Sequence, residues 1–497
     1  MSQHRSPPFV SSGDRQLTEY SEPVDVVRTL QSLYKASCQI LDEAVTAFSQ
    51  DPEKTFHPHA ATYPLIRCHI TQEQMSEKHA RLSFGVVDQP GVYETTVTDP
   101  FLFESYLTEQ LTLLVKHYGA TFFVGESNQP IPLTFALERL PCSLSNDPDV
   151  LSLLRQNFEH PNLQRVDDST VNHTRALETE ESLPLSLFTA ERVDYSLHRL
   201  KHYTGTSSGA FQNFILLTNY QRYIKEFIAY GLEEIRQKRA LRFTFSGGQS
   251  ITYDTIDKAI EIVTDKAPLV QMPAYHLEFP DRNGISIVNV GVGPSNAKTL
   301  TDHLAVLRPH CWLMLGHCAG LRSTQQLGDY VLAHGYVRED SVLDDDLPYW
   351  VPIPAIAEIQ VALQEAVAEI TSLRGSELKK RMRTGTVFTT DNRNWELRAR
   401  ELYERFNQSR AIAVDMESAT IAGNGLRFRV PYGTLLCVSD RPIHGEIKLP
   451  GMANQFYEQS ISQHLTIGLK TIEIIRERGI NALHSRKLRG FNEPPFR

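Results

Sequence analysis

Five short clusters in the second half of the sequence carry residue types that can do chemistry, and each follows an apolar run. The first is Gly291-Val292-Gly293-Pro294-Ser295-Asn296, after Ile285–Val290 and before a helical pattern with Ala297, Leu300, Leu304 and Leu307 on one face. Glycines let a backbone approach a ligand closely, and a helix start offers free N–H groups to an anion. Asn296 stands where a dinucleotide fingerprint needs a third glycine, and no Gly-Lys-Ser/Thr follows as a Walker loop requires. A capped structural turn would read the same way.

The second cluster is Gly316-His317-Cys318-Ala319-Gly320-Leu321-Arg322, where His317 can face a ligand or satisfy a backbone carbonyl, and Arg322 can meet an anion or solvent. In the third, Thr389 to Trp395, Trp395 offers a π-face to a flat base and Arg393 a fork for phosphate. A polar loop anchored by a half-buried Trp is the plain alternative. The fourth is Asp415-Met416-Glu417-Ser418-Ala419; its carboxylates can accept both hydroxyls of a ribose or merely support a helix dipole. The fifth, Ser439-Asp440-Arg441-Pro442, puts a carboxylate at an apolar edge, where a raised pKa suits a general acid. A structural Asp-Arg pair would leave the same trace.

The elements that must position these clusters alternate. Strand-like runs at Leu241–Phe245, Ile285–Val290, Cys311–Leu315, Tyr330–Ala333, Gly385–Thr390, Ala411–Val414 and Thr434–Val438 are separated by helical segments or loops. That pattern predicts an α/β domain with a mainly parallel central sheet flanked by helices, and ligands in such sheets bind beyond the strands' carboxyl ends. The first half reads differently. A helix over Val26–Phe48, strands at Tyr63–Ile70, Leu82–Val87, Val92–Val97 and Ile131–Leu137, and a helix over Phe103–Tyr118 predict an α+β domain. Asp88-Gln89-Pro90-Gly91 suggests a hairpin between the second and third of these strands. An irregular polar stretch from Asn157 to Pro184 ends in the acidic run Glu178–Glu181, and a long helical region follows from Ala210 to Gln237. We therefore expect an amino-terminal domain over 20–175 and a catalytic domain over 185–497.

Composition excludes several classes. The 497 residues hold 50 Lys plus Arg against 59 Asp plus Glu, a formal net charge of −9, so no general attraction to nucleic acid is expected. Six cysteines without a CxxC pair make no disulfide scaffold. His310-Cys311 and His317-Cys318 lie ~23 Å apart if the run between them is a strand, too far to share one metal ion. Reduced structural thiols and no metal are the expectation. No stretch approaches the ~18–20 apolar residues of a membrane span, and Met1 to Gly13 lacks a signal-peptide core, so a cytoplasmic protein without a membrane partner is expected.

In combination, Gly-x-Gly-x-Pro-Ser, Gly-x-Cys, Met-Glu-Ser-Ala and Ser-Asp, in this order, resemble the nucleoside phosphorylase/nucleosidase superfamily over roughly residues 240–478. Within it the chain is similar to the bacterial AMP nucleosidases. The stretches GVGPSNAKTL (291–300), DHLAVLRP (302–309), TDNRNWELR (390–398), DMESATIA (415–422), RFRVPYGTLLCVSD (427–440), HGEIKLPG (444–451) and HSRKLRGFNEPPFR (484–497) carry that likeness. The preceding half is similar to the regulatory domain of those enzymes. The resemblance implies hydrolysis of AMP to adenine and ribose 5-phosphate in purine salvage and adenylate control. It places Met416 against the ribose, Glu417 on its hydroxyls and Asp440 as proton donor toward the purine N7. Gly291, Gly293, His317, Arg322, Arg393, Trp395 and Ser439 are the remaining residues expected to bind substrate. It also implies no cofactor, activation by ATP, inhibition by phosphate and a homohexamer.

One departure bears on the nucleophile. Superfamily phosphorylases of the bacterial purine type carry Arg-Val-Gly-Ser-Cys at the second cluster, whereas this chain has Met314-Leu315-Gly316-His317-Cys318. Met314 cannot bind an anion and His317 replaces a hydroxyl, as expected if water attacks. A purine nucleoside phosphorylase and a non-catalytic nucleotide sensor are the alternatives; a sensor would need no acid at Asp440.

Overall fold

The computed structural model describes residues 17–51, 61–76, 84–136, 148–174, 182–258, 270–446, 454–483 and 488–497. Their backbone divides into two compact units, one of residues 1–198 with 489–497 and one of residues 199–488.

The first unit holds a five-stranded sheet in the order β1-β4-β2-β3-β5, with β1 Thr18–Tyr20, β2 Thr62–Ile70, β3 Gly91–Thr96, β4 Phe122–Pro130 and β5 Leu183–Pro184. Helix α1, Pro23–Gln50, starts with a proline at its first position, where no intrahelical donor is lost. It buries Val26, Leu30, Tyr34, Ser37, Leu41, Val45 and Phe48 on one face, three or four residues apart, and packs on β2 and β4.

Among the described residues the expected hairpin is not formed. β3 pairs antiparallel with β2, and residues 84–87 are not strand; Leu82 and Ser83 lie outside the described residues. The strand expected at 131–137 is instead β4, ending at Pro130, followed by a helical turn over Leu133–Ala136. Leu137, Cys142 and the acidic run 178–181 lie outside the described residues.

The second unit carries a ten-stranded sheet in the order β14-β13-β12-β15-β11-β6-β10-β9-β7-β8. Its strands are β6 Phe214–Thr218, β7 Arg242–Thr244, β8 Ser250–Ile251, β9 Ala274–Glu278, β10 Ile285–Asn289, β11 Cys311–Gly320, β12 Tyr330–Glu339, β13 Met382–Thr390, β14 Ala413–Asp415 and β15 Tyr432–Asp440. β14 also pairs antiparallel with β11, so β11, β15, β12, β13 and β14 close into a ring, and closure removes exposed strand edges. β6 pairs parallel with β10 and β11, β11 with β15, and β13 with β12 and β14. The pairings of β15 with β12 and of β9 with β10 and β7 are antiparallel, so the sheet is mixed rather than mainly parallel.

The helix expected over 210–237 is two elements, β6 and then helix α2, Gln221–Arg236. A short, wholly buried apolar run gives no period that separates strand from helix, and Phe214–Thr218 is such a run. Helices α3, Pro294–Leu304, and α4, Ser418–Arg427, pack on each other, and α4 lies against β11, β12, β13 and β15. No helix among the described residues is long and apolar enough to cross a membrane.

Candidate functional site

Glu417 has no solvent exposure and stands at the start of α4, immediately beyond the end of β14. The backbone N–H of Gly293 donates to its Oε1 at 2.6 Å, and Asn219 Nδ2 donates to its Oε2 at 2.8 Å. Three strand ends thus meet on one carboxyl group: β6 through Asn219, β10 through the Gly291–Gly293 loop, and β14. Gly291 and Gly293 have φ of 69° and 113°, conformations open to glycine and strained for other residues, which turn the Gly293 N–H toward Glu417. Burial pushes the Glu417 carboxyl up to about 8, and the Asp415 carboxylate adds to the rise, while the two donors oppose it.

Asp415 is what holds this corner. Its Oδ1 accepts from Thr389 Oγ1 at 2.6 Å, and its Oδ2 accepts from the Ser418 N–H at 2.8 Å. Thr389 Oγ1 accepts in turn from the Ala419 N–H at 2.9 Å, so β13 and β14 together satisfy the first amides of α4. Asp415 is itself raised, chiefly by burial.

Asp440 ends β15 and is half-buried; Ser439 Oγ donates to its Oδ1 at 2.5 Å. The β11–β15 register slips here, Cys318 pairing with Val438 but Ala319 with Asp440, so Ser439 is an extra residue. A bulge of this kind re-aims side chains next to a site. Burial drives the Cys318 thiol well above its ordinary range, with Cys437 next and then Asp415 and Asp440, so both carboxylates act on one buried sulfur. His317 is half-buried, its ring 5.3 Å from Tyr220 and 5.7 Å from Tyr223.

A cleft of about 350 Å³ is lined by residues 292–296, Asp340–Val342, Asp391, Arg393 and Met416. It therefore joins Gly293, Met416 and Arg393, and it opens onto the start of α3. Arg393 is exposed there and has no side-chain partner among the described residues.

Three aromatic or basic side chains are engaged elsewhere. Trp395 is buried at 5% exposure in an apolar cluster with Phe388, Leu402, Phe406 and Val414, edge-on to Phe406 at 5.7 Å, and it does not line the cleft. Its indole anchors the loop instead of offering a face to a base. Arg322 donates to the Arg410 carbonyl at 3.0 Å. Arg441 is held by Glu446 and by the carbonyls of Ser323 and Gln325.

Comparisons with known proteins bear on this arrangement. Residues 25–182 match the family described as bacterial AMP nucleoside phosphorylase N-terminus, and residues 270–470 match the phosphorylase superfamily. The chain is 48% identical to the AMP nucleosidase of Escherichia coli K12 over 96% of its own length and 98% of that protein. The chain belongs to the AMP nucleosidase family. A 5′-methylthioadenosine/S-adenosylhomocysteine nucleosidase of Desulfotalea psychrophila is 23% identical over 39% of this chain and 83% of that protein. The crystal structure of an AMP nucleosidase from Bacteroides thetaiotaomicron covers 57% of this chain and 98% of its own at 27% identity, with a TM-score of 0.43.

Within this AMP nucleosidase fold, Asn219, Thr389's bond to Asp415, and Asp340 belong to the site without standing out in the sequence. Asp340 is fully buried on the cleft side, accepting from Thr420 Oγ1 at 2.6 Å and from Arg338 Nε at 3.3 Å. The one available signal for Asn219 was a polar residue ending the apolar run Phe214–Thr218, the same position relative to a strand that the other clusters occupy.

Proposed function

We propose that this chain hydrolyses the N-glycosidic bond of AMP, water adding at C1′ while the purine leaves, to give adenine and ribose 5-phosphate. The observation that carries this reading is the near full-length 48% identity to an AMP nucleosidase. The geometry supports it with one carboxyl group held by the scaffold and another at a strand end. Glu417 in its ionised form accepts the ribose hydroxyls through lone pairs not used by Gly293 and Asn219. Met416, on the cleft wall, packs against the sugar.

Asp440 donates a proton toward N7, so the purine does not have to leave as an anion. General acids of this kind contribute ~10²–10⁴-fold. The 5′-phosphate lies at Arg393 and the start of α3, where a guanidinium fork and free backbone N–H groups suit an anion. Met314 is fully buried and apolar and gives inorganic phosphate no partner, which favours water as nucleophile over phosphorolysis.

The first unit regulates rather than catalyses, since all five clusters fall within residues 199–488. ATP as activator, phosphate as inhibitor, a homohexamer and a place in purine salvage in the cytoplasm complete the reading. A chain shortened to begin near Leu185 is expected to hydrolyse AMP without responding to ATP.

The decisive assay is incubation with AMP in phosphate-free buffer, following adenine and ribose 5-phosphate together. Equal release of both without phosphate is expected; an absolute need for phosphate, with ribose 1,5-bisphosphate as product, would replace hydrolysis by phosphorolysis.

A further inference from the structure

Asn219 is the one side chain among the described residues that donates to Glu417; the Gly293 and Met416 donors act through their backbone. It is half-buried at the first position beyond β6, and its amide lies beside Gly316. A Cβ on Gly316 would come within 3.2 Å of Asn219 Oδ1 and 2.7 Å of Met314 Cε, so the bare backbone at 316 makes room for the amide. Seated there, the amide presents Nδ2 to Glu417 Oε2 at 2.8 Å. We propose that Asn219 is a positioning residue of the hydrolase, which favours the ionised form of the Glu417 carboxyl group and turns it to accept the ribose hydroxyls. This inference rests on the assignment of Glu417 to the sugar made above.

The groups facing Glu417 are few. From β14 the Asp415 carboxylate opposes its ionisation; the Gly293 N–H from the β10–α3 loop, the Asn219 amide from beyond β6 and the Met416 backbone favour it, and none of these three titrates. On β11, His317 follows Gly316, the residue against which Asn219 packs. Removing the amide donor leaves Asp415 and burial to act with less opposition, so the proton stays on Glu417 to higher pH. A hydrogen bond to a charged group is worth about one to two pH units in such a balance.

The test is the pH dependence of kcat/KM for AMP with the full chain and with Asn219→Leu, which keeps the volume and removes the donor. Asn219→Asp is a second, isosteric variant should the leucine variant fail to fold. We expect the acid limb of the profile to move up by about one unit in Asn219→Leu and further in Asn219→Asp, where two carboxyl groups compete for one proton. We also expect activity to recover toward high pH. A merely structural role would lower activity equally at every pH, and an unmoved limb in a folded variant overturns the proposal. Glu417→Gln separates the two levels. If that variant keeps both the limb and wild-type kcat/KM, the sugar assignment of Glu417 fails; if it abolishes the limb while Asn219→Leu leaves it in place, only the positioning role fails.

Discussion

Glu417 is sealed from solvent with both oxygens already accepting from the scaffold, whereas Asp440, at the end of β15, is half-buried and accepts from its own neighbour Ser439. The first environment is built by strands distant in sequence, since the Asn219 contact spans 198 residues and the Gly293 contact 124. The second rests on one bulge between β11 and β15, where Ser439 Oγ also reaches the Cys318 carbonyl at 3.3 Å. A carboxyl group fixed by several elements cannot follow a moving proton but can hold a sugar in place. One at a bulged strand end can approach the base. In the proposed reaction, the difference would separate the group that orients from the group that transfers.

The largest effect should come from the transferring side. Asp440→Asn is expected to keep the fold and AMP binding and to lose roughly 10²–10⁴ in kcat, measured by adenine release. Wild-type turnover in the folded variant would remove the distinction. Next comes the orienting side. Glu417→Gln loses one ionised acceptor and should lower kcat/KM by about 10–150-fold, with a smaller further loss on changing from AMP to 2′-deoxy-AMP than wild type shows.

Protonation sharpens the same contrast. Because burial raises Glu417 to about 8, wild-type kcat/KM should climb as pH passes through that value, and the climb should vanish in Glu417→Gln. Stability should run the other way. The folded state holds this proton more tightly than an unfolded Glu at 4.5, so the Glu417 contribution is fully present below about 4.5 and is lost as pH rises through about 8. Asp415, raised in the same direction, adds to this slope. Denaturant melts at pH 5 and pH 9 check the sign, which Glu417→Gln should weaken.

How far the sequence reveals this site depends on where each residue's partners lie. Gly293, Glu417 and Asp440 were legible because each follows an apolar run that is a strand in the fold, and strand ends are where α/β sheets place function. Asn219 was hidden because Phe214–Thr218 merges in composition with α2, so no strand end was seen there. Trp395 shows the converse. An aromatic in a polar loop reads as a base platform, but only the packing of Phe388 and Phe406 reveals that its ring is already used. Arg322 and Arg441 are filled by carbonyls or by Glu446, some of them about a hundred residues away, which spacing alone cannot display.

Two smaller effects bound the site. Arg393→Ala should cut activity on AMP strongly and leave any weak activity on adenosine nearly unchanged, compared by parallel kcat/KM determinations; equal loss on both would make Arg393 structural. Trp395→Phe should change KM for AMP little, because its ring lies in the apolar cluster, and should show instead as a modest loss of thermal stability.

The division between the two carboxylates is tested most directly by a substrate whose base needs no proton. In an N7-methylated AMP the purine already carries positive charge and leaves neutral. The measurement is the ratio of wild-type to Asp440→Asn kcat on AMP and on this analogue. The expected ratio is roughly 10²–10⁴ on AMP, falling to near one on the methylated nucleotide. An equally large ratio on both substrates would contradict proton donation by Asp440 and leave the two carboxylates without separate roles.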